Sequence, residues 1–245
     1  MSEHLLQEGA IDSIPVIDLM VSAMSAAGFV RLELARGGAR RSFSFSESKL
    51  TRIDASGSAA SLTAMLVKRG RLSEADADRL KSEAEATDKH IIDVLVTSAR
   101  LSAEDLKTEC ALWATLLIVQ SVGWSDGTYR IFSTGPIEPA GDLPLDIATA
   151  SALLKGVYKR VELSEIKAML APYGEALPVQ VSGGSISTSD LALDARQLSF
   201  VDSLDGKRSI TDVLAFSSLD ESDSERMLYA LHRLEIIRFN DPSLG

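Results

Sequence analysis

Residues 66–76, LVKRGRLSEAD, return at 95–105 as LVTSARLSAED, an offset of 29 residues that keeps Leu66/Leu95, Val67/Val96, Arg71/Arg100, Leu72/Leu101, Ser73/Ser102 and Asp76/Asp105 in step. No other feature constrains the fold as much, because one device has to be built twice. Each copy reads as an amphipathic helix ending at the apolar pair, a short turn, and a serine that caps the next helix with an aspartate three residues on. Two copies fall short of a solenoid, so the repeat predicts a pair of helical hairpins inside one domain.

The hairpins need a surface to cover, and the chain before them supplies one. After a leader at 1–15, Val16, Leu19, Met20, Ala23 and Met24 make one helical face closed by Gly28. From Phe29 the period falls to two. Val30, Leu32 and Leu34 alternate with Arg31, Glu33 and Ala35, Gly37-Gly38 offers a turn, and RRSFSF returns with Phe43 and Phe45 on one face and Ser42 and Ser44 on the other. KLTRIDAS predicts a third strand that groups Thr51, Ile53 and Ala55. A meander with a single apolar face is unstable unless covered, so the expected class is α+β, a small antiparallel sheet covered by helices. The helix begun at Ser102 carries Leu106, Cys110, Trp113, Leu117 and Gln120 at steps of four and three, and Tyr129 with Ile131 predicts a strand returning to the first sheet.

Pro136, Pro139 and Pro144 interrupt regular structure before a helix over about 145–158 and another over 164–170. VSGGSISTSD at 181–190 reads as the hinge. Three helices follow: LDARQLSFVDSL, ITDVLAFS capped by Ser209, and a last one capped by Ser222, with Glu225 in the capping-box position and Met227, Leu228, Leu231 and Leu234 buried. IIRF closes as a short wing. The expected order is a leader at 1–15, an α+β domain at 16–160, a connecting helix and linker at 161–189, and an all-helical, winged-helix-like module at 190–245.

This order resembles the PATAN (DUF4388) domain family of bacterial signalling proteins. The resemblance rests on the opening amphipathic helix, GFVRLELARGGARRSFSFSESKLTRIDAS, the paired LVxxxRLS units, and WSDGTYRIF before the proline-rich step, together spanning about 16–160. SFVDSLDGKRSITDVLAFSSLDESDSERMLYALHRLEIIRF is similar to the small module that often follows such domains. One departure is Glu47-Ser48, where relatives often carry glycine in the turn. The resemblance implies a cytoplasmic adaptor that binds partner proteins in polarity or surface-motility systems, with a receiver-domain protein or a Ras-like GTPase as the partner.

Composition narrows the function independently. A net charge of −10 repels polyphosphate backbones and anionic membranes, which makes nucleic acid and lipid disfavoured partners. MSEHLLQEGAIDSIP lacks a signal peptide's basic and apolar regions, and no apolar stretch reaches the ~20 residues of a membrane span. Cys110, the only cysteine, lies in CALWATLLIV and reads as a buried, inert thiol. His4, His90 and His232 have no second histidine or cysteine at ligand spacing, Gly37-Gly38 and Gly183-Gly184 lack a phosphate-loop context, and EADAD at 74–78 and ESDSE at 221–225 lack a calcium loop's glycine. The reading is therefore a protein without enzymatic activity, with no catalytic, cofactor-binding or metal residues, and with homo-oligomers allowed. Two alternatives stand beside it. One is a structural subunit of a larger assembly. The other is a DNA-binding regulator, which would expose Glu221, Asp223, Glu225, Arg226, Arg233 and Glu235 around its third helix, four negative charges against two positive.

Overall fold

Strand alternation and two-residue turns build a five-stranded antiparallel sheet, ordered β1-β5-β2-β3-β4, in a computed structural model that describes residues 3–56, 61–136, 145 and 147–240. Its strands are β1 (His4–Ala10), β2 (Phe29–Arg36), β3 (Ala39–Ser46), β4 (Lys49–Ser56) and β5 (Thr128–Thr134). Gly37 and Gly38 join β2 to β3, and Glu47 and Ser48 join β3 to β4, all four with positive φ as a tight hairpin of this hand requires. Glu47 (φ 49°) and Ser48 (φ 65°) therefore hold a geometry that glycine adopts more cheaply.

The register fixes which side chains share a face. Phe43 lies opposite Leu32 and Ile53, and Leu32 lies opposite Ile131, so one face is apolar and buried. A register shift at Ser44/Phe45 pairs Phe45 with Leu50, which enters the core in place of Thr51. Thr51 instead donates its hydroxyl to the Ser44 carbonyl at 3.1 Å. The expected grouping of Thr51 with Ile53 misses this bulge.

The helices are α1 (Val16–Ser25), α2 (Leu62–Lys68), α3 (Glu74–Thr87), α4 (Ile91–Ser98) and α5 (Ala103–Val122), then α6 (Thr149–Arg160), α7 (Leu163–Leu170), α8 (Ala195–Asp202), α9 (Ile210–Ala215) and α10 (Glu221–Arg233). The repeated hairpins are α2–α3 and α4–α5. Ser73 accepts from the Asp76 amide and Ser102 from the Asp105 amide, as the repeat predicts. The copies also exchange ions: Arg71 pairs with Asp105, and Arg100 pairs with Asp76 at 3.0 Å. Glu109 on α5 is 3% exposed and is held by Arg69 at 2.8 Å and Arg71 at 3.3 Å.

Two compact units emerge, Met1–Ile14 with Ser22–Leu117 and Trp124–Ile147, and Pro15–Val21 with Ile118–Gly123 and Ala148–Gly245. In the second, α10 packs against α6, α7, α9 and a two-stranded sheet of β6 (Leu177–Gln180) and β7 (Ile237–Asn240). Gly156 on α6 lets Val122 approach, since a Cβ there would lie 2.6 Å from a Val122 methyl. Arg233 donates to Asp18 at 2.8 Å.

Several boundaries differ from expectation. The 1–15 leader contains β1, which pairs with β5 along Thr128–Ser133. The helix expected over 145–158 begins at Thr149, and Pro139 and Pro144 lie outside the described residues. Residues 161–189 belong to the second unit, and the 181–190 stretch is no free hinge: Ile186 is buried, Val181 donates to the Ile236 carbonyl, and Ser187 with Asp190 forms a capping box. Asp220, not Ser222, caps α10 by accepting from the Asp223 amide, and β7 falls on the expected IIRF wing but pairs with β6, a strand not expected and lying before residue 190.

Candidate functional site

Four strands bring one row of polar side chains together. Arg130, Glu33, Ser42 and Asp54 are successive cross-strand neighbours on the sheet's polar face. They form one wall of a cleft of about 700 Å³ in the first unit. Lys81 and Glu85 of α3, Asp88 at its C-cap, and Lys89 and His90 leading into α4 form the facing wall. Leu34, Leu62, Trp113 and Tyr129 border the cleft from the core, each 4% exposed or less.

His90 is the best-defined polar group there. Its Nδ1 accepts from the Ile92 amide at 3.2 Å, capping α4, and its Nε2 lies 2.9 Å from Asp54. An accepting Nδ1 leaves the proton of a neutral imidazole on Nε2, which donates to the carboxylate. Both nitrogens are thus occupied within the protein, and neither offers a lone pair to a substrate proton. Asp54 is half-buried. Burial pushes its carboxyl up, but hydrogen bonds from His90 and Arg52, with their charges, hold it below the usual carboxylate range.

The other carboxylate of the row is similarly engaged, Glu33 meeting Arg31 at 3.1 Å and Arg130 at 2.9 Å. Arg41 is buried beside this row, donates to the Leu117 carbonyl at 2.9 Å and lies over the Trp124 ring at 4.5 Å. Burial lowers its pKa to about 10, so it remains a cation at neutral pH. The Ser42 hydroxyl is buried with no hydrogen-bond partner among the described residues.

The remaining sequence candidates lie apart from the cleft. His4 is exposed on β1, and His232 stacks on Phe239 at 4.3 Å between ring centroids. Cys110 is buried, and burial followed by the neighbouring Glu109 charge pushes its thiol up to about 12. Among the described residues no group of three or more His, Cys, Asp or Glu side chains is placed to hold a metal ion. No helix among them is long and apolar enough to cross a membrane. The cleft itself was not foreseen from sequence, because its members come from four strands and four helices that only the fold brings together.

Of the charges expected to face outward around α10, Glu221 and Glu235 are exposed and Asp223 is half-buried, while the others turn inward. Glu225 is buried, Arg226 donates inward to the Val157 and Val161 carbonyls, Arg233 is engaged by Asp18, and Glu221 alone in the helix is exposed. The side chains of α10 that reach solvent in part are Glu221, Ser222, Asp223, Arg226, His232 and Arg233.

No family model matches the chain, and no solved structure matches it significantly. A stretch of 114 residues, 46% of the chain, is 28% identical to a phospho-N-acetylmuramoyl-pentapeptide-transferase of Acaryochloris marina (strain MBIC 11017). The match spans 30% of that protein's length.

Proposed function

We propose that this chain is a non-enzymatic adaptor of bacterial signalling that binds a partner protein, a receiver-domain protein or a Ras-like GTPase of a polarity or surface-motility system. The observation that carries the reading is β1. It is bonded to β5 along one edge, lies at the end of the sheet, and leaves Leu5 and Leu6 41% and 54% exposed. An open edge with apolar side chains offers a partner both backbone hydrogen bonds and buried area. The occupied nitrogens of His90 and the paired carboxylates of Glu33 and Asp54 favour binding over proton-transfer chemistry. The partner class rests on the resemblance of the 16–160 region to PATAN domains.

Tagged full-length protein recovered from its native cell tests the reading, with co-purifying proteins identified by mass spectrometry. A stoichiometric receiver protein or small GTPase, retained by wild type and lost in Leu6→Asp, is the expected result. Recovery of the same protein by both, or substrate turnover abolished by Asp54→Asn, would overturn it.

A further inference from the structure

Strand β1 is an edge exposed along nearly its whole length, and its free backbone groups have a definite phase. The Ile11 amide donates to the Gly127 carbonyl at 3.0 Å, so along β5 the residues turned toward β1 are Gly127, Tyr129, Ile131 and Ser133. Their partners Gly9, Gln7 and His4 face β5 in turn, while Glu8 and Ala10, opposite Arg130 and Thr128, direct their N–H and C=O groups outward. The register shift at Leu6 moves the alternation by one residue, so Leu5, opposite Phe132, also faces out. Counted along β5, Leu5, Glu8 and Ala10 are evenly spaced, and Glu3 comes next in the series.

Edges are commonly guarded by lysine, proline or a bulge. HLLQEGA contains neither lysine nor proline, and its bulge leaves the outward groups evenly spaced. A second copy laid antiparallel across a two-fold axis can align those groups in only a few registers. Leu5 opposite its own counterpart sets Glu3 against Glu8 twice, and Glu8 opposite its counterpart joins two carboxylates at the axis. Like charges directly opposite are destabilising. Leu5 opposite Glu8 of the second copy sets no like charges together. It also brings Ala10 opposite Glu3, so the whole strand is used, whereas sliding further in either direction pairs less than half of it. Gln7 then faces Gln7 at the axis, and Leu6 (54% exposed) with Leu5 (41% exposed) gathers near its counterparts there.

We propose that a second copy of this chain occupies the β1 edge, with the two β1 strands antiparallel across a two-fold axis at Gln7, joining two five-stranded sheets into one. The inference rests on the open edge that carries the adaptor reading and adds its regulation. One edge cannot hold a second copy and a partner protein at once, so self-pairing competes with capture. A single strand pair is a small interface, which makes the dimer reversible and dependent on concentration.

Sedimentation equilibrium of the purified full-length chain, free of any partner, tests this, and a monomer–dimer equilibrium is the expected result. Leu5→Glu sets a carboxylate against Glu8 in both strand pairs and should weaken the dimer about tenfold or more. Leu5→Lys should hold it as tightly as wild type or better, and Leu5→Glu/Glu8→Lys should restore it. Oxidation of single-site variants reads the register. Gln7→Cys meets its counterpart as a non-hydrogen-bonded pair, with Cα atoms about 4.5 Å apart, and should form a disulfide-linked dimer. Ala10→Cys, at the far end of the strand from its counterpart, should not. A chain that is monomeric at every concentration, a dimer that Leu5→Glu leaves intact, or cross-linking through Ala10→Cys in place of Gln7→Cys would overturn the inference. A monomer that still captures its partner protein overturns this inference alone, and a dimer that captures none supports it while overturning the adaptor reading.

Discussion

His90 joins a helix cap to a sheet, so its loss is felt in both. His90→Ala removes the acceptor for the Ile92 amide and the donor to Asp54. The lost cap should cost about 1 kcal/mol, read from the urea midpoint. The pH dependence carries two signatures. The Asp54 carboxyl is held below its ordinary range, so its contribution is present above about pH 4 and is lost as pH falls through the folded-state value. His232 is shifted downward, first by burial and then by the Arg233 charge, against a hydrogen bond to the Ile237 backbone. The unfolded chain therefore takes up this proton first, and stability falls as pH drops below about 6.5 toward the lower folded-state value. Melting temperatures measured from pH 7 to pH 5 should decline less in His232→Gln than in wild type. At the β3–β4 turn, Ser48→Gly should raise stability by up to about 1 kcal/mol in the same urea assay, because Ser48 holds φ at 65°.

Between elements, the largest single costs belong where polar or steric demands are buried. Arg69→Ala strips one of two cations from Glu109, which is 3% exposed, and should cost about 3 kcal/mol at most given how far Arg69 reaches into water. Gly156→Ala forces a methyl into Val122 and should cost about 1–3 kcal/mol, seen as a lowered urea midpoint with an unchanged slope. Elements whose signal is local were legible in the sequence: β2 and β3 through alternation and a Gly-Gly turn, and the hairpins through their serine caps. Elements whose signal is distant were not. Strand β1 has almost no buried face to impose alternation on HLLQEGA, and its partner β5 begins at Thr128. LPVQ of β6 is four residues with a proline, too short to announce a strand before β7 is known to pair with it. At α10, SSLDESDSE offers several capping side chains, and only the helix start at Glu221 selects Asp220. The cleft was illegible for a related reason, since Ser42 and Asp54 become neighbours only once the bulged β3–β4 register is set.

At the scale of the molecule, the second unit takes in Pro15–Val21 and Ile118–Gly123, which the sequence reading had assigned elsewhere. A fragment of residues 190–245 lacks Asp18 for Arg233, Val157 and Val161 for Arg226, and β6 for β7. It should therefore give the poorly dispersed amide spectrum of an unfolded peptide, while the full chain gives a dispersed one. The α+β class was readable from the chain, and the interleaving was not, because two short segments of otherwise ordinary helices carry it. The crossed ions of the repeat have an outcome of another kind. Each hairpin supplies a cation whose anion stands in its sibling, Arg71 to Asp105 and Arg100 to Asp76. A hairpin on its own is half of a reciprocal lock, and a molecule that lost one copy would keep a key without its keyhole.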